Sequence, residues 1–173
     1  MNLKEAILKE HSKNQTMKIV RWVGSDKKRF SELMMLYLTG ENIIKQRASW
    51  PFSYSAVANP KLVKPHLKKL MENLKNTDLH DGIKRNTLLI LQETDIPEDL
   101  QGLAAEICFS CISSAKESIA AKCYAITTAT KICKPHPKLA RELRMIIEAM
   151  LPYTATAGIK VRAKRAFKEL ALA

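Results

Sequence analysis

ENIIKQRASWPFSYSAVANPKLVKPHLKKLMENLK, residues 41–75, reads as two helices with a turn between them. Ile44, Ala48, Phe52 and Ser55 share one stripe of the first. Pro51 lies inside that helix, where it removes one hydrogen bond and predicts a kink. Asn59-Pro60 opens the second, with Asn as cap and Pro in the first turn. Leu62, Val63, Leu67, Leu70 and Leu74 give it an apolar face, and Pro65 falls about one turn in, where it is tolerable.

The phrase Ile44-x-x-Arg47-Ala48 returns along the chain. It matches Ile119-x-x-Lys122-Cys123 and Ile159-x-x-Arg162-Ala163, and Gly82-x-x-Arg85-Asn86 fits with Ile83 displaced by one. The basic residues at 47, 85, 122 and 162 are spaced by 38, 37 and 40. A period near 40 built from two helices is the signature of stacked helical hairpins.

The rest of the chain fits that frame. Amphipathic helices are expected over residues 3–11 and 14–23, with Gly24 as a stop. Ser25 or Asp26 can cap the next, whose face is Phe30, Leu33, Met34, Tyr37 and Leu38 before Gly40. Residues 76–80 read as a turn and 81–94 as a helix. Asp95-Ile96-Pro97-Glu98-Asp99 then reads as a helix start, with Asp95 as cap and acids against the dipole. That helix runs to about residue 113. Ser114 or Lys116 opens another, Pro135 and Pro137 precede one over 138–151, and Gly158 precedes the last, 159–171. No stretch has a period of two, so no sheet is expected. The expected organisation is one all-α helical-repeat domain over 1–173. It comprises an N-terminal pair (1–24) and hairpins at about 26–57, 60–94, 96–133 and 137–171.

The second-helix phrase resembles the Val-Arg-x-x-Ala phrase of HEAT repeats. Gln46-Arg47-Ala48-Ser49-Trp50, His80-Asp81-Gly82-Ile83-Lys84-Arg85-Asn86-Thr87, Ile96-Pro97-Glu98-Asp99-Leu100-Gln101-Gly102 and Leu151-Pro152-Tyr153 are similar to a group of small bacterial HEAT-like proteins. The resemblance spans about residues 26–170. It implies a right-handed α-solenoid of HEAT-like hairpins, with the second helices lining a concave face. HEAT repeats usually set an Asp in the turn against the repeat Arg. Here Glu41, Asp81 and Glu117 stand near that place at unequal offsets, and the fourth repeat offers only Thr154 and Thr156. Arg47, Arg85, Lys122 and Arg162 therefore have two readings: bridges to acids between repeats, or a row of cations on the concave face.

Composition narrows the function. The chain has 173 residues, 46% of them apolar, enough for a real core. No signal peptide or membrane span is visible, so a cytoplasmic protein with reduced thiols is expected. Net charge is +12 but uneven. Residues 81–120 carry three Lys/Arg against seven acids, and residues 121–173 carry eleven against three. Surface charge keeps a protein soluble, and it also attracts acidic proteins or nucleic acid.

Candidate chemistry is sparse. Cys108-x-x-Cys111 and Cys133-x-x-His136 hold zinc-ligand types, but the first pair sits in an apolar helical stripe without a knuckle Gly. No metal or cofactor is expected. No catalytic motif stands out among His11, His66, His80 and His136, and five Gly leave little for phosphate-cradling loops. Arg47, Trp50 and Tyr54 share a stripe at i, i+3 and i+7. They form either an aromatic–cationic patch or rings filling space beside Pro51. The run Lys160 to Lys168, with Arg162 and Arg165, is the densest basic segment: a polar terminal cap or a phosphate-contacting helix.

The resulting expectation is a non-catalytic scaffold for a protein or peptide partner, preferably acidic. Arg47, Trp50, Tyr54, Arg85, Lys122, Arg162 and Arg165 are its candidate binding residues. Nucleic-acid binding through the basic helices is the alternative. A DNA glycosylase of the HEAT-like type is the remote one, and would need Trp50 beside Asp78 or Asp81.

Overall fold

The computed structural model describes residues 1–76 and 78–171. Thr77, inside the expected 76–80 turn, lies outside them. The described residues form helices and no strand, and the chain divides into two compact units, Met1–Thr94 and Asp95–Ala173. The boundary falls between the second and third expected hairpins.

The first unit holds α1 (Leu3–Lys9), α2 (Lys13–Val23), α3 (Lys27–Thr39), α4 (Asn42–Ala58), α5 (Pro60–Val63), α6 (Leu67–Leu74) and α7 (Asp81–Glu93). Local chemistry sets their starts. The side chains of Asn2, Ser12 and Asp26 accept backbone N–H bonds at the heads of α1, α2 and α3. His80 does the same for α7, its Nδ1 accepting from Gly82 at 3.0 Å. Gly24 ends α2 with φ of 49°, a left-handed conformation that side-chain-bearing residues rarely adopt. Gly40 ends α3 for a different reason: a Cβ there would lie 2.5 Å from the Leu36 carbonyl and 2.9 Å from Ile44 Cγ2.

Two prolines behave differently. Pro51 is carried inside α4, which runs unbroken from Asn42 to Ala58. Pro65 divides its helix: α5 stops at Val63, Lys64–His66 forms a 3₁₀ turn, and α6 starts at Leu67. With no N–H to give the residue-61 carbonyl and a ring that crowds it, the chain tightens to i→i+3 bonding, Leu67 N–H reaching Lys64 O. The expected single helix is thus two short ones.

α4 is the hub of the first unit, packing against α1, α2, α3 and α7. It is buried on several sides, and many of its buried residues are small: Ala48, Ser49, Ser53, Ser55 and Ala56. Small residues let neighbouring backbones approach. The core beside it is aromatic, with the Phe52 ring 4.7 Å from Tyr37, near-parallel, and 5.4 Å from Phe30. The Tyr37 hydroxyl hydrogen-bonds Thr87 of α7, and Asn86 donates to Ser49 Oγ at 2.8 Å. Burial pushes the Tyr37 phenol up to about 12, although its side-chain hydrogen bonds to Thr87 and Asn73 pull the other way.

The second unit holds α8 (Glu98–Ser113), α9 (Ile119–Cys133), α10 (Pro137–Met150) and α11 (Ala157–Leu170). α8 starts after Pro97 rather than with an Asp95 cap, because the Pro97 backbone sits at φ −54°, ψ 146°, outside the helical region. Ser118, not Ser114 or Lys116, caps α9. α9 is the hub here, packing against α8, α10 and α11, and it too is lined by small residues, Ala121, Ala125, Ala129 and Cys133. Cys108, Cys111 and Cys133 are buried, as are Ile112, Ile126 and Leu143. Burial raises the Cys108 thiol well above the ordinary range and Cys133 to about 11, as expected of core thiols.

Candidate functional site

The candidate residues separate into two groups, one in each unit. Arg47, Trp50 and Tyr54 lie on α4, and Arg85 lies exposed on α7. Arg47 is half-buried, and its Nη1 donates to the Leu8 carbonyl at 2.7 Å, capping the end of α1. Trp50 meets Tyr54 edge-on at 6.2 Å and His11 edge-on at 5.6 Å. The three rings form one half-exposed cluster where α1 ends against α4. Asp78 lines a groove at the N-terminal end of α4 with Asn42, Lys45 and Gln46, a groove in whose lining Trp50 has no place.

In the second unit Lys122 is buried, with 3% of its surface exposed. Its Nζ donates to the Ile112 carbonyl at 3.1 Å, at the C-terminus of α8. Arg162, half-buried on α11, donates to the Thr127 hydroxyl of α9. Arg47 and Lys122 thus bond backbone carbonyls where an Arg–Asp ladder would supply carboxylates. A helix C-terminus carries partial negative charge, so a cation is favoured there.

Arg162 and Arg165 are brought together. With Thr127, Thr130 and Lys131 of α9, and with Ala166 and Glu169, they surround a cavity of about 110 Å³. Three cations and one carboxylate thus line this space, and the Thr127 and Thr130 hydroxyls there already donate to the Cys123 and Ile126 carbonyls. The Cys123 thiol, half-buried nearby, is raised by burial, and the charge of Arg162 offsets part of that rise. Lys160, Lys164, Arg165 and Lys168 are exposed along α11. The inner side of that helix is apolar, with Ile159, Ala163, Ala166 and Leu170 buried. Arg144 of α10 lies over the Phe167 ring at 5.3 Å.

A HEAT repeat domain family model matches residues 3–170. The chain belongs to the HEAT repeat family. No curated protein and no solved structure matches it significantly. HEAT repeat membership extends the resemblance into the first helical pair, which the second-helix phrase alone does not reach. Among the described residues no group of His, Cys, Asp and Glu is arranged to hold a metal, and no helix is long and apolar enough to cross a membrane.

Sequence reasoning missed several residues that the folded HEAT hairpins bring to these places. Thr127, Thr130 and Lys131 stand at i, i+3 and i+4 on one face of α9, a spacing that could have marked them as neighbours. His11 had no such signal, because its partner Trp50 is 39 residues away.

Proposed function

We propose that the chain is a non-catalytic binding scaffold for a protein or peptide with an acidic surface, taken up on the second helices of its hairpins. The observation that supports this best is that Lys131, Arg162 and Arg165 line one small cavity with a single acid, Glu169, among them. Carboxylates match such a cluster, because Arg presents paired donors and Lys a compact positive charge to an anion. HEAT repeats are commonly interaction scaffolds, which agrees with this use.

One observation favours nucleic acid as a second reading. α11 carries five Lys/Arg against one Glu, and four of those cations are exposed. A helix of that kind can follow a phosphate backbone.

Fluorescence anisotropy separates the two. A labelled ten-residue polyglutamate and a labelled duplex of about 20 base pairs are titrated at about 50 and about 200 mM salt. The scaffold reading expects micromolar binding of the peptide, weakened by Arg162→Glu and Arg165→Glu. Tighter binding of the duplex, falling steeply with salt, replaces that reading with nucleic acid. No binding of either at low salt overturns both.

A further inference from the structure

The groove over Lys122 is not used by the cation cluster just described. Ser113 at the end of α8, Lys122 on α9, Met145, Ile146 and Met150 on α10 and Tyr153 beyond it line an open groove of about 600 Å³. Its wall is mostly apolar, and no acidic residue lines it among the described residues. Two rim side chains are far out in solvent, Met145 at 69% and Tyr153 at 89% exposure.

Lys122 makes this more than an apolar cleft. It is buried, yet among the described residues its ammonium has one acceptor, the Ile112 carbonyl, and no carboxylate pairs with it. An ammonium has three donors and a full charge. The whole C-terminus of a helix offers roughly half an elementary charge in return. Lys122 lines the groove, and two of its N–H groups and about half its charge are left without a described protein partner there. Buried charges are ordinarily paired, since desolvation without a counter-charge is costly.

We infer that this groove receives an acidic side chain of a protein partner, flanked by apolar residues. The Glu or Asp carboxylate reaches Lys122 Nζ, and the flanking side chains cover Met145, Ile146 and Met150, with Tyr153 closing over them. Methionine adapts to varied apolar shapes, and Tyr supplies a broad ring with a polar tip. A nucleic-acid backbone fits poorly: its phosphates are flanked by sugars, which would desolvate the Met-rich wall without matching it. The proposal rests on the scaffold reading in that it names a second, more selective feature of an acidic partner. It differs in the site.

The test uses protein labelled with carbon-13 at its methionine methyls, of which there are seven. Two acetylated, amidated pentapeptides are titrated by NMR, Ala-Leu-Glu-Phe-Ala and its Gln counterpart. The expected result is a saturable shift of the Met145 and Met150 methyls, with the Glu peptide binding about tenfold tighter than the Gln peptide. Lys122→Met should erase that ratio, and Tyr153→Ala should weaken both peptides alike. Because Lys122→Met also removes the cap of α8, the deciding comparison is the peptide pair on the unaltered protein. Equal affinities overturn the proposal, as does binding that leaves both methyls unmoved. If the same peptide instead displaces labelled polyglutamate, the groove fails and the scaffold reading stands. Failure of both peptides to bind overturns the groove, while polyglutamate binding judges the scaffold separately. A single-stranded oligonucleotide that moves the two methyls when neither peptide does also overturns it.

Discussion

The two units solve one architectural problem with different side chains. In residues 1–94 the hub α4 is set among large rings, Phe30, Tyr37 and Phe52, and is tied to α7 by hydroxyl and amide hydrogen bonds. In residues 95–171 the hub α9 is set among Ala, Ile and Cys, with no ring among the described buried residues. The repeat cations do not follow that division. Arg47 in the first unit and Lys122 in the second each bond the last-turn carbonyl of a neighbouring helix, whereas Arg162 bonds the Thr127 hydroxyl and lines a cavity with Arg165 and Lys131. A shared period fixes where a cation stands on its helix; its neighbours decide what it bonds.

The largest expected effect tests the contrast between the cores. Phe52→Ala removes a fully buried ring that two others pack against, and should cost about 3–5 kcal/mol. Cys108→Ala, equally buried in the second unit, removes one sulfur atom and should cost about 1–2 kcal/mol. Denaturant unfolding of both variants measures the difference. Equal losses would show that the aromatic cluster packs no more tightly than the aliphatic one.

Alkaline unfolding sharpens the same contrast. Folding raises the Tyr37 phenol to about 12 from 10.0, mainly by burial. Above pH 10 the unfolded chain releases this proton and the folded chain holds it, so unfolding gains. The stability linked to Tyr37 is present below pH 10 and is lost as pH rises toward 12. A rise of about two units corresponds to about 2–3 kcal/mol. Tyr37→Phe should remove this part of the pH dependence, as read by urea midpoints at several pH values. A smaller effect is expected for Thr87→Val. The Tyr37 hydroxyl loses one partner but keeps Asn73, so the loss should be about 1 kcal/mol.

Much of the fold was legible because it repeats. The phrases around Arg47, Lys122 and Arg162 placed the second helices, and apolar stripes placed the rest. Boundaries were less legible where several caps compete within one turn. Ser114, Lys116 and Ser118 are all plausible starts, and Ser118 alone accepts the N–H of Ala121. Pro51 and Pro65 look alike in sequence, yet only Pro65 divides its helix. Pro51 lies on the buried hub of its unit, where packing holds the helix together on either side. The binding candidates were legible as positions but not as partnerships. Nothing local announces that Arg47 will meet the Leu8 carbonyl, or that Lys122 will be buried over a Met-rich groove. Those facts depend on which hairpin end packs against which.

The smallest effect on stability, and the most direct test of the contrast in function, comes from exposed cations. Arg85 of α7 and Arg165 of α11 are both exposed, so charge reversal at either should change stability by no more than about 0.5 kcal/mol. Their effects on an acidic peptide should differ. Arg165 lines the cavity with Lys131 and Arg162, so Arg165→Glu adds a second carboxylate beside Glu169 and should weaken polyglutamate binding about tenfold. Arg85 stands outside every cation-lined cavity described above, so Arg85→Glu should change binding by about twofold at most, through net charge alone. Anisotropy titrations of both variants at one salt concentration read the ratio. If the two reversals weaken binding equally, the peptide senses only total charge, and the α9–α11 cavity is no more a site than any other basic surface of the protein.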